Sequence, residues 1–510
     1  MVVIGLDALD PNLLWAWIDE LPTFKLMIDE GTFGHMRSTI PPLTIPAWVT
    51  MLTGKKPAKL GNFGLVDVEK DYSLRPVDAA RWRGQYVWDL IGARGRRVGV
   101  LGLPFLASPY PVNGFLITDP AWGEAKAFPQ EFSTRIQTKK ATGSTLRRMK
   151  TMWHNIEGEK GFILDTLEDA ALDFFFFALS AIDYCMHWGT RKELKEAYRK
   201  VDHFLSEIIL ACKDRQVLVV SDHGCKEATA AFNVGTLLAQ LGMFRFRDTS
   251  LRGAKAELAR KAMSLFYRIP SARLLLSLID VRVTHAWRHA LVRVGQRALL
   301  ERIDMKEARL FPIPIAGGGW FGMCVNRVND FDLGKVDAGS EGKLLSSLIA
   351  KISNLYDPSS GRSVVKSVLT REDLGYDHSS RFPDLVVQVR DPYYPVFADL
   401  PSGILLHHRE LMHSDYGVFL AVGPGIRKRH TVRGIDLADV SPTLLHMLGM
   451  PVPDYMDGRV LREIFETDAE FATRDVKHEH VRTRGAGRTL LSKEEEDSIA
   501  ERLKALGYLG

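Results

Sequence analysis

Along the first third of the chain, short runs of β-branched and aromatic residues alternate with stretches whose apolar positions recur at helical spacing. Val2–Leu6, Arg97–Leu103, Phe174–Leu179 and Val217–Ser221 are apolar almost throughout, the pattern of strands buried on both faces. Such strands separated by helical patterns predict a largely parallel sheet flanked by helices. Three of the runs end at, or just short of, an acid: Asp7, Asp183 and Asp222. Ligands in open α/β sheets bind beyond the carboxyl ends of the strands, so these acids are expected to share one crevice. A further strand, Gly417–Val422, ends in Gly423-Pro424-Gly425 and follows closely on His413.

The pattern changes between Phe244 and Arg302, where thirteen Arg or Lys stand against four acids and apolar residues such as Leu258, Ala262, Leu265 and Phe266 recur at helical spacing. This predicts a basic helical insertion over residues 244–310. Residues 311–389 mix strand and helix signals around a Gly-Gly-Gly turn and are expected to form a small α+β cap. A discontinuous catalytic core is then expected over 1–243 and 390–465. Residues 466–510 form a charged tail with a short helix at Ser492–Leu506, opened by the capping box Ser492/Glu495.

Composition bounds the function without selecting it. A chain of 510 residues with 46% hydrophobic and 25% charged residues is that of an ordinary globular enzyme, and a net charge of +5 does not argue for a nucleic-acid partner. The most apolar stretch, Ala170–Ile182, is broken by Asp173 and is too short to span a bilayer. Val2-Val3-Ile4 leads straight to Asp7 with no leader-like segment, which points to the cytoplasm. Cys185, Cys212, Cys225 and Cys324 contain no Cys-x-x-Cys pair, in keeping with a reducing compartment.

The chemistry lies in four segments and one distant histidine. Gly5-Leu6-Asp7 ends the first strand, and Thr44-Ile45-Pro46-Ala47-Trp48 opens a helix. Asp183 and His187 stand four apart, Asp222-His223-Gly224 follows a strand, and His413 precedes the last strand. Taken singly, each has an ordinary explanation: a turn acid, a helix N-cap at Thr44, a helix-surface pair, a solitary histidine. Together, three carboxylates and three imidazoles gathered mostly at strand ends match the ligand preferences of paired divalent ions, zinc first and manganese as the alternative. Thr44, at a helix N-terminus, supplies a hydroxyl nucleophile beside backbone N–H groups suited to phosphate oxygens.

These motifs, in this order, resemble those of the alkaline phosphatase superfamily in its type I phosphodiesterase/nucleotide pyrophosphatase branch. Supporting matches are Phe232-Asn233-Val234, Asn326, Asp439-Val440-Ser441-Pro442-Thr443 and Met456-Asp457-Gly458. The resemblance implies an alkaline-phosphatase-like three-layer α/β sandwich with a mostly parallel central sheet. It implies one metal held by Asp183, His187 and His413. It implies a second held by Asp7, Asp222 and His223, with Thr44 bound to it as nucleophile. The implied reaction is two in-line displacements through a phosphothreonine, on a small-molecule or lipid-like phosphodiester, pyrophosphate or phosphonate. Eukaryotic-type nucleotide pyrophosphatases carry an Asn three residues after the nucleophile; here that residue is Ala47.

Four other readings compete, one of them a cofactor-independent phosphoglycerate mutase, which resembles the same superfamily but uses a serine and a differently placed inserted domain. A sulfatase needs a Cys or Ser within a Cys/Ser-x-Pro-x-Arg pattern, and here Thr44 and Trp48 occupy the first and last positions. A phosphomonoesterase of the same fold would use the same ligands. A protein that docks its basic helices on an anionic membrane would use the insertion instead.

Overall fold

The computed structural model describes residues 1–121, 124–169, 171–247, 300–376, 382–397, 405–481 and 491–506. Most of the expected basic insertion, residues 248–299, therefore lies outside the described residues. The chain divides into two compact units. One comprises Met1–Leu65, Pro76–Lys226 and Leu411–Arg502, and the other Val66–Arg75, Glu227–Glu410 and Leu503–Gly510.

The first unit is built on a nine-stranded sheet in the order His430–Asp436, Gly31–Arg37, Tyr416–Val422, Val217–Val220, Val2–Leu6, Phe174–Leu179, Val98–Leu103, Gly114–Thr118, Ala127–Phe128. Every pairing is parallel except those of Tyr416–Val422 with both neighbours and of Ala127–Phe128. The opening strand lies in the middle, its Val2 opposite both Phe175 and Val217. Alternate residues of a strand face opposite sides, and Val2–Leu6, Phe174–Leu179 and Val217–Val220 are buried at every position, so both faces are covered. The hydrophobic runs thus mark these strands to within a residue, and the sheet is the mostly parallel α/β sheet expected.

The same arrangement gathers the acids. The carboxyl end of the central strand is flanked by those of Phe174–Leu179 and Val217–Val220, so Asp7, Asp183 and Asp222 emerge at one edge. Tyr416–Val422 enters antiparallel beside Val217–Val220, which brings the residues just before its start, His413 among them, to that edge as well.

In the second unit a four-stranded antiparallel sheet runs in the order Leu310–Gly317, Trp320–Val325, Leu385–Val389, Val365–Thr370, with the helix Ala338–Ser353 between its strands in sequence. The first two strands turn through Gly318 and Gly319, whose φ values of 58° and 86° are open to glycine at little cost. The Gly-Gly-Gly signal is therefore a hairpin. Asn326 is structural there: its buried amide donates to the carbonyls of Met305, Ala308 and Leu333. Among the described residues no helix is long and apolar enough to cross a membrane.

Candidate active site

Asp7 follows directly on the central strand, and the turn beyond it is strained: Ala8 sits at φ 65°, a left-handed conformation that costs a residue with a Cβ about 1–2 kcal/mol. Hydrogen bonds hold it there. The N–H of Ala8 donates to Asp222 Oδ1 (3.3 Å), that of Leu9 to Ser221 Oγ (2.9 Å) and that of Asp10 to Tyr198 Oη (2.8 Å). Asp10 then caps the helix Pro11–Ala16 through Oδ1, while its Oδ2 accepts from Ser414 Oγ (2.6 Å) and the N–H of Cys225 (3.2 Å). One carboxylate thereby ties together the segments that carry Asp7, His223 and His413. Asp10, Ser221 and Ser414 were not singled out in the sequence. The pair Asp10-Pro11 is a helix-start signal, but nothing local shows that its second oxygen reaches two distant segments.

Thr44 is the first residue of the helix Thr44–Thr53, with Leu43 in the cap position. It is not the N-cap: its hydroxyl points away from its own helix and lies 3.4 Å from His223 Nε2. The helix is buried throughout, and its fourth N–H, from Ala47, is already bonded to Leu43 O (2.9 Å). Pro46 has no N–H, which leaves Thr44 and Ile45 to offer donors at the helix start.

The donor atoms fall into two adjoining sets. Asp183 Oδ1 lies 3.4 Å from His187 Nε2 and 3.6 Å from His413 Nε2, and the two histidine nitrogens are 3.3 Å apart. His223 Nε2 lies 3.2 Å from Asp222 Oδ2 and 3.6 Å from Asp7 Oδ1. His223 belongs to both neighbourhoods: with Asp183 and His413, and with Asp7 and Asp222, it can present ligand atoms within 4.8 Å of one another. The rings of His223 and His413 stack at 3.7 Å. All seven sequence-predicted residues are thus brought together in the first unit, and only His187 is not fully buried.

Hydrogen bonds on the far side of two rings fix which nitrogen faces inward. His413 Nδ1 donates to Pro42 O (2.7 Å) and His223 Nδ1 to Gly224 O (3.2 Å), which leaves Nε2 of each ring as the nitrogen that faces the centre. Burial, reinforced by His223, holds His413 well below the ordinary imidazole range. Burial also raises Asp7 well above the usual carboxylate range, with Asp222 and Asp183 adding to the effect, and lifts Asp222 to about 6 against the pull of His223. At Asp183 burial acts in the same direction, but His187, His413 and His223 outweigh it and bring the carboxyl down to about 2.

Three carboxylates crowded in one buried pocket call for positive charge between them. Asp7 Oδ1, Asp183 Oδ1 and Asp222 Oδ2 are buried with no hydrogen-bond partner among the described residues, the state of oxygens reserved for something else. The spacing agrees. Around a tetrahedral ion with ligands at roughly 2.0–2.2 Å, neighbouring ligand atoms stand about 3.3–3.6 Å apart, which matches the separations above. Neutral imidazole and carboxylate donors suit a divalent transition metal, and both sets fit one.

A family model described as "Type I phosphodiesterase / nucleotide pyrophosphatase" matches residues 1–416, a span that holds all seven residues. No curated protein matches the chain.

Proposed function

The chain belongs to the type I phosphodiesterase/nucleotide pyrophosphatase family, a family of hydrolases, and from that premise we propose that it cleaves a substituted phosphate ester through a covalent intermediate on Thr44. The observation that carries this reading is the 3.4 Å approach of Thr44 Oγ1 to His223 Nε2, since His223 can present a ligand atom beside Asp7 and Asp222 and also beside Asp183 and His413. Asp183, His187 and His413 would hold one divalent ion, and Asp7, Asp222 and His223 a second beside Thr44. Zinc is the first choice and manganese the alternative. Bound there, such ions supply Lewis-acid charge that favours the ionised Thr44 hydroxyl and offsets negative charge on the phosphoryl group.

The chain's own residues do the rest. Thr44 Oγ1 gives up its proton to solvent and attacks phosphorus; the Oγ1–P bond forms as the ester bond on the opposite side breaks, and the leaving oxygen takes the electron pair and then a proton from solvent. The N–H groups of Thr44 and Ile45, at the positive end of the helix dipole, hold a non-bridging oxygen. Water then displaces Thr44 from phosphorus and the hydroxyl is restored, so two inversions give net retention. Ala47 offers no polar atom to the phosphoryl group, which favours a substrate recognised mainly by its ester substituent. Lipid-like and small soluble phosphate esters are the candidate substrates.

The test is a substrate panel run with added zinc or manganese, comparing bis-nitrophenyl phosphate, nitrophenyl phosphate and a nitrophenyl phosphonate. Acid-quenched enzyme is also examined by mass spectrometry for a phosphoryl adduct on Thr44, which keeps the unexpelled substituent when the substrate is a diester or phosphonate. Diester or phosphonate turnover with a labelled Thr44 peptide is expected. Preference for the monoester makes the chain a phosphomonoesterase of the same fold, and turnover with no labelled Thr44 at any quench time removes the covalent step.

A further inference from the structure

The helix Lys493–Leu506 lies beyond the span matched by the family model, which ends at residue 416. Its start is capped by Ser492 and Glu495, whose side chains bond reciprocally to each other's N–H (3.3 and 2.8 Å), and Ser108 Oγ donates to Glu495. Seven residues on, and so on the same face, Arg502 enters the first unit. Its side chain is 8% exposed and its Nη2 donates to Asp119 Oδ2. The guanidinium lies 4.5 Å from the Phe105 ring centre and 5.6 Å from that of Tyr184. Phe105 sits at φ 58°, a strained conformation for a bulky residue.

Asp119 follows the strand Gly114–Thr118. Its backbone neighbours are fixed by Asn155, whose amide donates to Pro120 O (2.9 Å), and by the Ala121 N–H bonded to Asp119 Oδ1 (3.0 Å). Besides Arg502, Asp119 Oδ2 accepts from Ser180 Oγ (3.4 Å) and Tyr184 Oη (3.3 Å). Those two residues bracket the first turn of the helix Ala181–Trp188, on which Asp183 and His187 stand. Ser180 occupies the N-cap position without capping; its hydroxyl is spent on Asp119.

We propose that Arg502 is a positioning residue for the metal site: by neutralising and aiming Asp119, it fixes the first turn of the helix that presents Asp183 and His187. This rests on the two-metal reading of that site. A buried carboxylate stripped of its guanidinium would turn towards other donors, release Ser180 and Tyr184, and let the helix rotate. Groups that orient metal ligands in this indirect way are worth roughly 10–100-fold in metal affinity.

The experiment measures zinc affinity of the full chain by competition with a chromophoric chelator, alongside thermal unfolding, for four proteins: wild type, Arg502→Met, Asp119→Asn/Arg502→Met and Tyr184→Phe. Arg502→Met should lower zinc affinity about 10–100-fold. The double variant should recover most of that loss, because a neutral Asn still accepts from Ser180 and Tyr184. Tyr184→Phe should show a smaller loss in the same direction. Wild-type zinc affinity in Arg502→Met, with only the melting temperature reduced, would make Arg502 a clasp for the terminal helix and overturn the proposal. Should Arg502→Met fail to fold, unchanged zinc affinity in Tyr184→Phe overturns it equally. A wild-type chain that binds no zinc fails the parent reading and takes this inference with it, whereas equal binding by all four proteins sinks the positioning role alone.

Discussion

Replacing Gly5 by alanine tests how rigidly the Thr44 helix is seated on the sheet. A Cβ at Gly5 would lie 2.5 Å from Trp48 Cη2, 2.9 Å from Trp48 Cζ3 and 3.1 Å from Ala178 Cβ. Carbon atoms settle at about 3.5–4.0 Å, so the indole or the strand must give way by about 1 Å. The indole has little room: Trp48 is 1% exposed and its ring meets Phe176 edge-on at 6.0 Å, while Phe176 in turn meets Trp88 at 5.5 Å. Overpacking of this kind costs about 1–3 kcal/mol, a fall of a few degrees in melting temperature. The larger effect should be on rate. Trp48 stands one helical turn from Thr44, so a shift of the ring carries Thr44 with it, and on the proposed mechanism a misplacement of about 1 Å can cost about 10²-fold in turnover.

The assay is diester hydrolysis at saturating zinc, with bound zinc measured on the same samples to separate a displaced nucleophile from a lost ion. Gly5→Ala should lose roughly 10–100-fold in kcat while its zinc content is retained. Trp48→Phe in the Gly5→Ala background should restore much of the rate, because it removes the two clashing ring atoms. Trp48 Nε1 has no hydrogen-bond partner among the described residues, so that truncation sacrifices no bond. A Gly5→Ala enzyme with wild-type rate and melting temperature would refute the reasoning, as would strict additivity of the two substitutions.

Thr44→Ala should lower kcat by about 10³-fold or more with KM little changed, since attack falls to water, while Thr44→Ser should keep substantial activity; near-normal rates in Thr44→Ala would exclude the covalent route. Asp222→Asn and His413→Ala should each lose bound metal by elemental analysis with far-ultraviolet circular dichroism unchanged, and chelation of the wild type should abolish activity that zinc restores. Glu159 is buried, neither of its carboxyl oxygens has a partner among the described residues, and burial, with Asp119 adding to it, raises its pKa well above the ordinary value. Above the unfolded carboxyl pKa, near 4.5, the folded chain therefore holds a proton that the unfolded chain has lost, and stability falls as pH rises towards the folded pKa. Glu159→Gln should remove that slope, so that its melting temperature gains on the wild type between pH 5 and 8; a difference independent of pH would contradict the assignment.

What the chain's order of residues discloses depends on whether the physics is local. Val2–Leu6 and Phe174–Leu179 are legible to the residue because strands buried on both faces must be apolar throughout, and an acid at the end of such a run has only the sheet edge to occupy. Asp7, Asp183 and Asp222 could therefore be placed in one crevice. His413 carries no weight by itself: it reaches the site because Tyr416–Val422 inserts antiparallel beside Val217–Val220, a pairing with no local signature, and it gained meaning only when read with the other acids and histidines. Asp10 advertises its helix cap and conceals its bonds to Ser414 and Cys225. Asp119 and Arg502, 383 positions apart, leave no trace at either end, since a buried ion pair imposes no periodicity and Arg502 falls within a helix otherwise rich in surface charge. Ligands thus announce themselves through the elements that carry them. The residues that aim those ligands are satisfied by whichever distant segment folds against them, and only the folded chain identifies them.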